Sequence, residues 1–277
     1  GSPGYLRPLV GVRPVGGAYL HIAAFDLARA PDGGWRVVSQ RTQAPSGLGY
    51  VLENRLAISR RFPEAFRELR VQHLAATYRA LIDSLFEPSP AGSSARMVLL
   101  TPGPYNETYF EHAYLARYLG IPLVEGGDLT VRDERVFLRT LHGLEPVDAI
   151  LRRLDDDFCD PLELRPDSTL GVPGLVQALR AGSVVMANAL GSGFLESAAI
   201  GGFLPAICER LLGEPLAMPG LQTWWCGERA VLERVLPELE RYVIKPAGPR
   251  SRFEPVVAAR LAPRELADWR AAIEARP

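Results

Sequence analysis

The chain has 277 residues and a formal net charge of −1 at pH 7, and 47% of its residues are hydrophobic. This length allows about two domains with large cores, and the small net charge argues against binding to nucleic acid or to an anionic membrane. The apolar stretch 183–207 contains Asn188, Glu196 and Pro205, so we interpret it as core and not as a membrane span. Three cysteines without metal-ligand spacing predict reduced thiols and a cytoplasmic protein.

The first predicted element is a β-hairpin. Residues 19–27 are rich in strand-forming side chains, and residues 35–39 are β-branched and aromatic. Between them, Asp32-Gly33-Gly34 provides the positive φ that a tight turn needs. The hairpin therefore spans about residues 19–47 and ends in Pro45-Ser46-Gly47.

Two helical segments follow the hairpin. The apolar spacing of residues 50–70 predicts a helix that Pro63 interrupts, and residues 73–86 predict a second amphipathic helix. This segment ends at residues 87–92, Glu-Pro-Ser-Pro-Ala-Gly, whose composition is typical of a linker. We place the main internal boundary there.

The segment after the linker has the pattern of a βαβ unit. Strands at 97–100 and 121–125 flank a helix at 107–119 that Gly120 closes, which implies parallel pairing and a right-handed crossover. We therefore predict an α/β fold, with a hairpin-and-helix α+β lobe followed by a doubly wound parallel-sheet lobe. The remaining predicted elements are a hairpin over 130–140, strands at 147–154, 183–187 and 241–245, and helices at 174–181, 203–212, 228–236 and 263–275.

Polar side chains follow two of the predicted parallel strands. Arg152, Arg153 and the aspartates 155–157 stand at the carboxyl end of one strand, where open α/β sheets bind ligands. Arginine suits a substrate carboxylate and aspartate suits an amine. The alternatives are local pairing of these charges and an Asp-x-Asp metal motif. Asn106 follows another strand as a substrate contact or as a helix cap.

Several longer motifs of the chain are specific to one family. They are PSGLGYVLENR (45–55), TPGPYNETYFEHAYLARYLGIPLVEGGDL (101–129), RRLDDDFCDPLELRPDS (152–168), TWWC (223–226) and VIKP (243–246). With these motifs the chain resembles the circularly permuted ATP-grasp family, of the type related to glutathionylspermidine synthetases. The resemblance implies a ligase that uses ATP to phosphorylate a carboxylate and lets an amine or thiol displace the phosphate, with ATP and Mg²⁺ as cofactors.

The resemblance implies a magnesium site on the hairpin. The family pattern has an Asp on the first strand, then Glu-x-Asn, then Pro-Gly. Asp26 matches the first position, while Ser39 and Arg41 replace Glu and Asn. Side chains two apart on a strand share a face, so we expect Ser39 and Arg41 beside Asp26. Either Arg41 neutralises phosphate directly, or the metal site is lost and these residues are hairpin surface.

Lys245 resembles the phosphate-binding lysine of the family. Its ammonium group would act as a mobile point charge on phosphate, and the alternative is an exposed lysine at a strand end. The following loop, residues 247–252, contains one glycine, the arginines Arg250 and Arg252, and Pro249, which lacks a backbone N–H. A glycine-rich loop would cradle phosphate better.

The family order implies three segments. We predict a metal-side lobe over residues 3–90, a Rossmann-like lobe over 91–240, and the start of a phosphate-lysine subdomain over 241–277. The first two residues, Gly-Ser, resemble a cloning scar, and little chain follows Lys245. We therefore expect a fragment of a longer polypeptide, with the adenine hinge beyond Pro277.

The predicted function is a domain of an ATP-grasp-type carboxylate–amine ligase. The alternative is a non-catalytic module that binds a peptide-like ligand or a partner domain. Expected partners are a small carboxylate or peptide-like substrate and the other domains of the same polypeptide, with neither nucleic acid nor membrane. The assigned residues are Arg153 and Asp155 as catalytic, Lys245 and Arg41 as nucleotide-binding, Arg152, Asp156, Asp157, Asn106 and Arg55 as substrate-binding, and Asp26 as the metal ligand.

Overall fold

The computed structural model describes residues 4–89, 91, 94–248 and 253–276. Its backbone contacts divide the chain into two compact units. The hairpin unit contains Phe25–Gln40 and the described residues from Phe194 onward, and the sheet unit contains Leu6–Ala24 and Arg41–Gly193. The three-segment division expected from the sequence stays a prediction, and residues 90 and 92 of the expected linker lie outside the described residues.

Both strands and helices occur along the whole described chain. In the described residues, no helix is both long and apolar enough to span a membrane. In chain order the elements are β1 (Ala24–Arg29), β2 (Trp35–Arg41), α1 (Leu48–Arg61), α2 (Pro63–Glu68), α3 (Ala75–Phe86), β3 (Met97–Leu100), α4 (Tyr109–Leu119), β4 (Leu123–Val124), β5 (Leu129–Arg132), β6 (Arg135–Thr140), β7 (Gly143–Val147), β8 (Ala149–Arg152), α5 (Leu175–Arg180), β9 (Val185–Ala187), α6 (Leu204–Leu212), α7 (Arg229–Val235), β10 (Val243–Ile244), β11 (Val256–Val257) and α8 (Pro263–Ala275).

A four-stranded parallel sheet forms the centre of the sheet unit. Its order is β4-β3-β8-β9, and the three neighbouring pairs are all parallel. The predicted βαβ unit is confirmed, since β3 and β4 pair in parallel across α4. A separate antiparallel sheet, β5-β6-β7, follows β4 along the chain.

Both faces of the parallel sheet are covered, because successive side chains of a strand point to opposite faces. Val98 and Leu100 of β3 belong to a buried cluster with Leu175 of α5. Met97 and Leu99 belong to another cluster, which includes side chains from three helices: Leu52 of α1, Tyr78 and Leu85 of α3, and Leu115 of α4. Each fully buried leucine contributes about 1.5–3 kcal/mol. The expectation of a doubly covered parallel sheet is therefore confirmed.

The hairpin unit contains most of the predicted β1–β2 hairpin. Gly33 has a φ of 82°, as the turn requires, and the Ala30 N–H donates to the Gly34 carbonyl at 2.8 Å. The backbone N–H of Gly34 donates to the Asp32 carboxylate at 2.8 Å and lowers the pKa of Asp32. A small C-terminal core forms around Leu239 and Ile244, with Trp224 and Trp269 packed against it.

Two expected strands differ from the observed ones, and one observed strand was not predicted. The first strand begins at Ala24 and not at residue 19, because the backbone of residues 19–22 bonds to residues 188 and 189 instead. The predicted strand 147–154 is the end of β7 followed by β8, two strands of different sheets. The two-residue strand β11, which pairs with β10, was not predicted.

Candidate functional site

Arg152 is fully buried at the end of β8 and is held by the chain itself. Its Nε donates to the Asn188 carbonyl at 2.8 Å and its Nη1 to the Leu154 carbonyl at 2.6 Å. Nη2 donates to Ser192 Oγ at 3.1 Å and pairs with the Asp156 carboxylate. The guanidinium therefore fastens the loops that follow β8 and β9.

The three aspartates after β8 lie in different environments. Asp156 is buried, and its Oδ2 accepts a hydrogen bond from the Gly193 N–H at 2.8 Å. Asp155 is exposed, and Asp157 is half-buried and lies 3.7 Å from Arg165. The Arg152–Asp156 pair is the local charge pairing that the sequence offered as an alternative to substrate binding. Contact of these residues with a substrate stays a prediction.

Arg153 is only 6% exposed, directly after β8. Its Nη2 donates to the Pro45 carbonyl at 2.6 Å. Nε and Nη1 have no hydrogen-bond partner among the residues that the structure describes. Burial lowers the pKa of Arg153, and the nearby Glu111 carboxylate opposes this shift. Arginine remains charged in proteins, so Arg153 is a buried cation with unused donors.

Glu111 of α4 is the anionic counterpart, and it is 1% exposed. Its Oε1 accepts hydrogen bonds from the backbone N–H groups of Gly47 at 2.8 Å and Gly49 at 3.2 Å. Its Oε2 has no hydrogen-bond partner in the described part of the chain. Glu111 and Arg153 therefore hold the turn of residues 45–49, named here the Pro-Ser-Gly corner, through its backbone.

His112 is the centre of a hydrogen-bond chain at the end of β3. Its Nδ1 lies 2.9 Å from Thr101 Oγ1, and its Nε2 lies 3.0 Å from Thr108 Oγ1. Thr108 Oγ1 donates to Asn106 Oδ1 at 2.6 Å, so we assign the proton of the neutral ring to Nε2. Burial and the Arg153 charge lower the pKa of His112 to about 4. The ring is thus neutral at pH 7 and fixes the loop after β3.

Asn106 and Arg55 both bond to nearby backbone. Asn106 Oδ1 also accepts from the Thr108 N–H at 2.9 Å, and α4 begins two residues later than predicted, at Tyr109 with Thr108 as its N-cap residue. Arg55 of α1 is half-buried and donates to the Gln72 carbonyl at 2.5 Å. The substrate role of either residue stays a prediction.

Sequence reasoning did not single out Glu111, His112 or Thr101. A signal was present in α4, because residues four apart share a helix face. Glu111 and His112 precede the buried Leu115 and Ala116 by four positions. Charged or titratable residues on the apolar face of a helix are buried with it, and such groups are seldom buried without a partner.

The hairpin unit contains three of the predicted phosphate-side residues. The Ser39 hydroxyl donates a hydrogen bond to the exposed Asp26 carboxylate, so Ser39 lies beside Asp26 as the strand pattern predicts. Lys245 is exposed after β10, and its Nζ lies 3.5 Å from the Val38 carbonyl oxygen of β2. The structure therefore brings Lys245 next to the strand that carries Ser39.

The other predicted phosphate-side residues are Arg41 and the two arginines of the loop after Lys245. Arg41 is the exposed last residue of β2 and belongs to the sheet unit. The loop after Lys245 is described only up to Gly248, so Arg250 and Arg252 lie outside the described residues.

Magnesium needs several hard oxygen ligands. Asp26 offers one carboxylate, which already accepts a hydrogen bond from Ser39. Within residues 4–89, 91, 94–248 and 253–276, no group of three or more His, Cys, Asp or Glu side chains is arranged to hold a metal ion. The described residues therefore do not fit Mg²⁺ by themselves, and Asp26 as a ligand stays a prediction.

Known proteins resemble this chain over most of its length. It is 37% identical over 277 residues to the uncharacterized protein sll0335 of Synechocystis sp., covering 100% of this chain and 58% of that protein. It is also 40% identical to two uncharacterized Mycobacterium tuberculosis proteins. The match to Rv2567 covers 99% of this chain and 31% of that protein. The match to Rv2411c covers 87% of this chain and 44% of that protein. The chain therefore spans less than two thirds of each relative. The family model of circularly permuted ATP-grasp type 2 proteins matches residues 1–277, and the chain belongs to this family.

Proposed function

We propose that this chain is part of an ATP-dependent carboxylate–amine ligase in which Arg153 binds the substrate carboxylate. The family generally binds ATP and Mg²⁺, which supports a ligase-like function. The observation that carries the proposal is the Arg153 guanidinium, 6% exposed at the carboxyl end of β8 with two nitrogens that lack hydrogen-bond partners among the described residues. Charge-assisted bonds from arginine to carboxylate are strong and directional.

The proposed reaction has two steps. A carboxylate oxygen attacks the γ-phosphorus of ATP and ADP leaves, which gives an acyl phosphate. The amine nitrogen then attacks the acyl carbon, inorganic phosphate leaves, and a base takes the amine proton. Arg153 orients the carboxylate, and we assign the proton to the exposed Asp155, which follows it along the chain. Lys245 and Arg41 are assigned to phosphate contact, and Arg152, Asp156, Asp157, Asn106 and Arg55 to shaping the substrate site.

The second candidate is a module that binds a peptide-like ligand or a partner domain without chemistry. It is favoured by the hairpin, where Ser39 and Arg41 replace the expected Glu and Asn and leave Asp26 as the carboxylate there. If the hairpin is a degenerate metal site, Ser39→Glu combined with Arg41→Asn will restore metal-dependent nucleotide binding. Unchanged nucleotide affinity in this double variant would argue against the hairpin as the metal side.

The partners and the cellular location are part of the same proposal. The partners are the substrate and the other domains of a longer polypeptide, and the location is the cytoplasm. The kinship to glutathionylspermidine synthetases is likewise proposed.

Thermal unfolding with and without Mg²⁺-ATP tests nucleotide binding. The samples are this chain and the full-length Synechocystis relative, of which this chain covers 58%. A ligand at 100 times its Kd adds about 2.7 kcal/mol to the free energy of unfolding, so the ligase proposal predicts a higher Tm for the relative. No shift in either protein would overturn the proposal, because a ligase of this mechanism must bind ATP.

A further inference from the structure

Glu111 and Arg153 are opposite charges that are both buried and do not pair with each other. Arg153 has unused donors on Nε and Nη1, and Glu111 has an unused acceptor on Oε2, within the described residues. The structure gives no ion pair between the two described side chains, although the Glu111 charge holds up the pKa of Arg153 against burial. Both side chains bond to residues 45–49, so they lie close together without forming an ion pair.

Both groups are oriented by the same segment of backbone. The Pro-Ser-Gly corner uses one side of each: Pro45 accepts from Arg153, and Gly47 and Gly49 donate to Glu111. Buried charges with unmade hydrogen bonds are costly. Charged side chains that are held in place and still have unused hydrogen-bonding atoms are expected to bind a polar ligand.

We propose that Arg153 and Glu111 together bind a ligand that carries both a carboxylate and a primary ammonium group, as an amino acid does. The ligand carboxylate accepts from one of the two unused donors of Arg153, Nε or Nη1, which lie on different edges of the guanidinium, and its ammonium group donates to Oε2 of Glu111. This inference rests on the proposed function for the role of Arg153, and it adds Glu111 as the residue that selects a charged amine.

Position 49 is consistent with a tightly fitted corner. A Cβ at Gly49 would lie 2.8 Å from Glu111 Cγ, closer than side-chain contacts allow. Gly47 has a φ of 111°, which other residues rarely adopt. The corner therefore needs glycine at both places to reach the Glu111 carboxylate through its backbone.

Calorimetric titration of this chain without ATP tests the proposal. The doubly charged probes are glycine, β-alanine, 4-aminobutyrate, 6-aminohexanoate and glycylglycine, and the singly charged probes are acetate and methylammonium. At least one doubly charged probe will bind at least tenfold more tightly than either singly charged probe. Binding of no probe, which would mean that only water fills the site, or equal affinity for singly charged probes would overturn the proposal.

A variant of Glu111 and a matched control variant test the role of the Glu111 charge. Glu111→Gln keeps an amide oxygen for the Gly47 and Gly49 N–H groups but loses the charge, so it will weaken the doubly charged probe at least tenfold without weakening acetate binding. Glu125→Gln, at an exposed carboxylate after β4, will keep wild-type affinity for every probe. Wild-type affinity in Glu111→Gln would contradict the assignment. If Glu111→Gln does not fold, the comparison of probes on the wild-type chain still decides.

The probe titration and the Mg²⁺-ATP test can each refute one proposal without refuting the other. Acetate binding that depends on Arg153, with no preference for the doubly charged probes, removes the role of Glu111 and leaves the ligase proposal intact. Failure of the Mg²⁺-ATP test with retained binding of amino acids removes the ligase and leaves a binding module.

Discussion

Acidification will destabilise the folded chain through His112. Its pKa falls from an ordinary 6.5 to about 4 because the ring is buried and lies near Arg153. Below pH 6.5 the unfolded chain therefore binds a proton that the folded chain does not, and the free energy of unfolding decreases as the pH falls. The loss begins near pH 6.5 and levels off below pH 4. The pKa difference corresponds to about 3 kcal/mol at 1.36 kcal/mol per unit.

Urea unfolding at pH 7, 6, 5 and 4, followed by circular dichroism, measures this loss. Other groups also titrate in this range, so the quantity to compare is the difference between wild type and His112→Gln at each pH. That difference will shrink by about 3 kcal/mol between pH 7 and pH 4.

A pH-independent difference for His112→Gln would refute the assignment of a buried neutral ring. If this variant does not fold, the imidazole NMR signals of the wild-type chain provide the same test. The His112 signals will stay unshifted from pH 8 down to about pH 5, because the folded pKa is about 4.

Two further predictions concern the packing of the sheet unit and its buried ion pair. Gly49→Ala will lower the free energy of unfolding by about 1–3 kcal/mol, because the added Cβ overlaps Glu111; Gly127→Ala, whose Cβ meets nothing within 4 Å, will stay within about 0.5 kcal/mol of wild type. Arg152→Met will cost about 3–5 kcal/mol, because Asp156 is left buried without its cation. Arg229→Met, at an exposed ion pair, will change stability by less than about 1 kcal/mol. Urea unfolding measures all four variants, and equal losses in both members of either comparison would contradict the structural reasoning.

Local patterns were sufficient for much of the fold. The strand Met97–Leu100 and the helix Pro263–Ala275 were predicted at their observed bounds, because a short apolar run and a proline at a helix start are read within a few residues. The tight turn at Gly33 was predicted for the same reason. Residues 19–23 were misjudged because the backbone N–H groups of His21 and Ile22 donate to Asn188, more than 160 positions away.

The sequence could place the site at the end of a strand but could not show which of its residues are available to a ligand. Arg152 and Arg153 are neighbours, and neighbouring side chains at a strand end point in opposite directions. One guanidinium is used up in the loops after β8 and β9, while the other faces the Pro-Ser-Gly corner with unused donors. Sequence shows that two arginines follow a strand, but only the packed structure shows which of them still has donors to offer.

ATP-dependent hydroxamate formation detects the proposed acyl phosphate itself. Hydroxylamine traps acyl phosphates, so the full-length Synechocystis relative and this chain would be incubated in parallel with Mg²⁺-ATP, hydroxylamine and a mixture of the common amino acids. If the ligase proposal is right, the relative will form a hydroxamate and release one ADP for each molecule formed. ATP binding by the relative without hydroxamate or ADP formation from any of these carboxylates would contradict the ligase and leave the binding module.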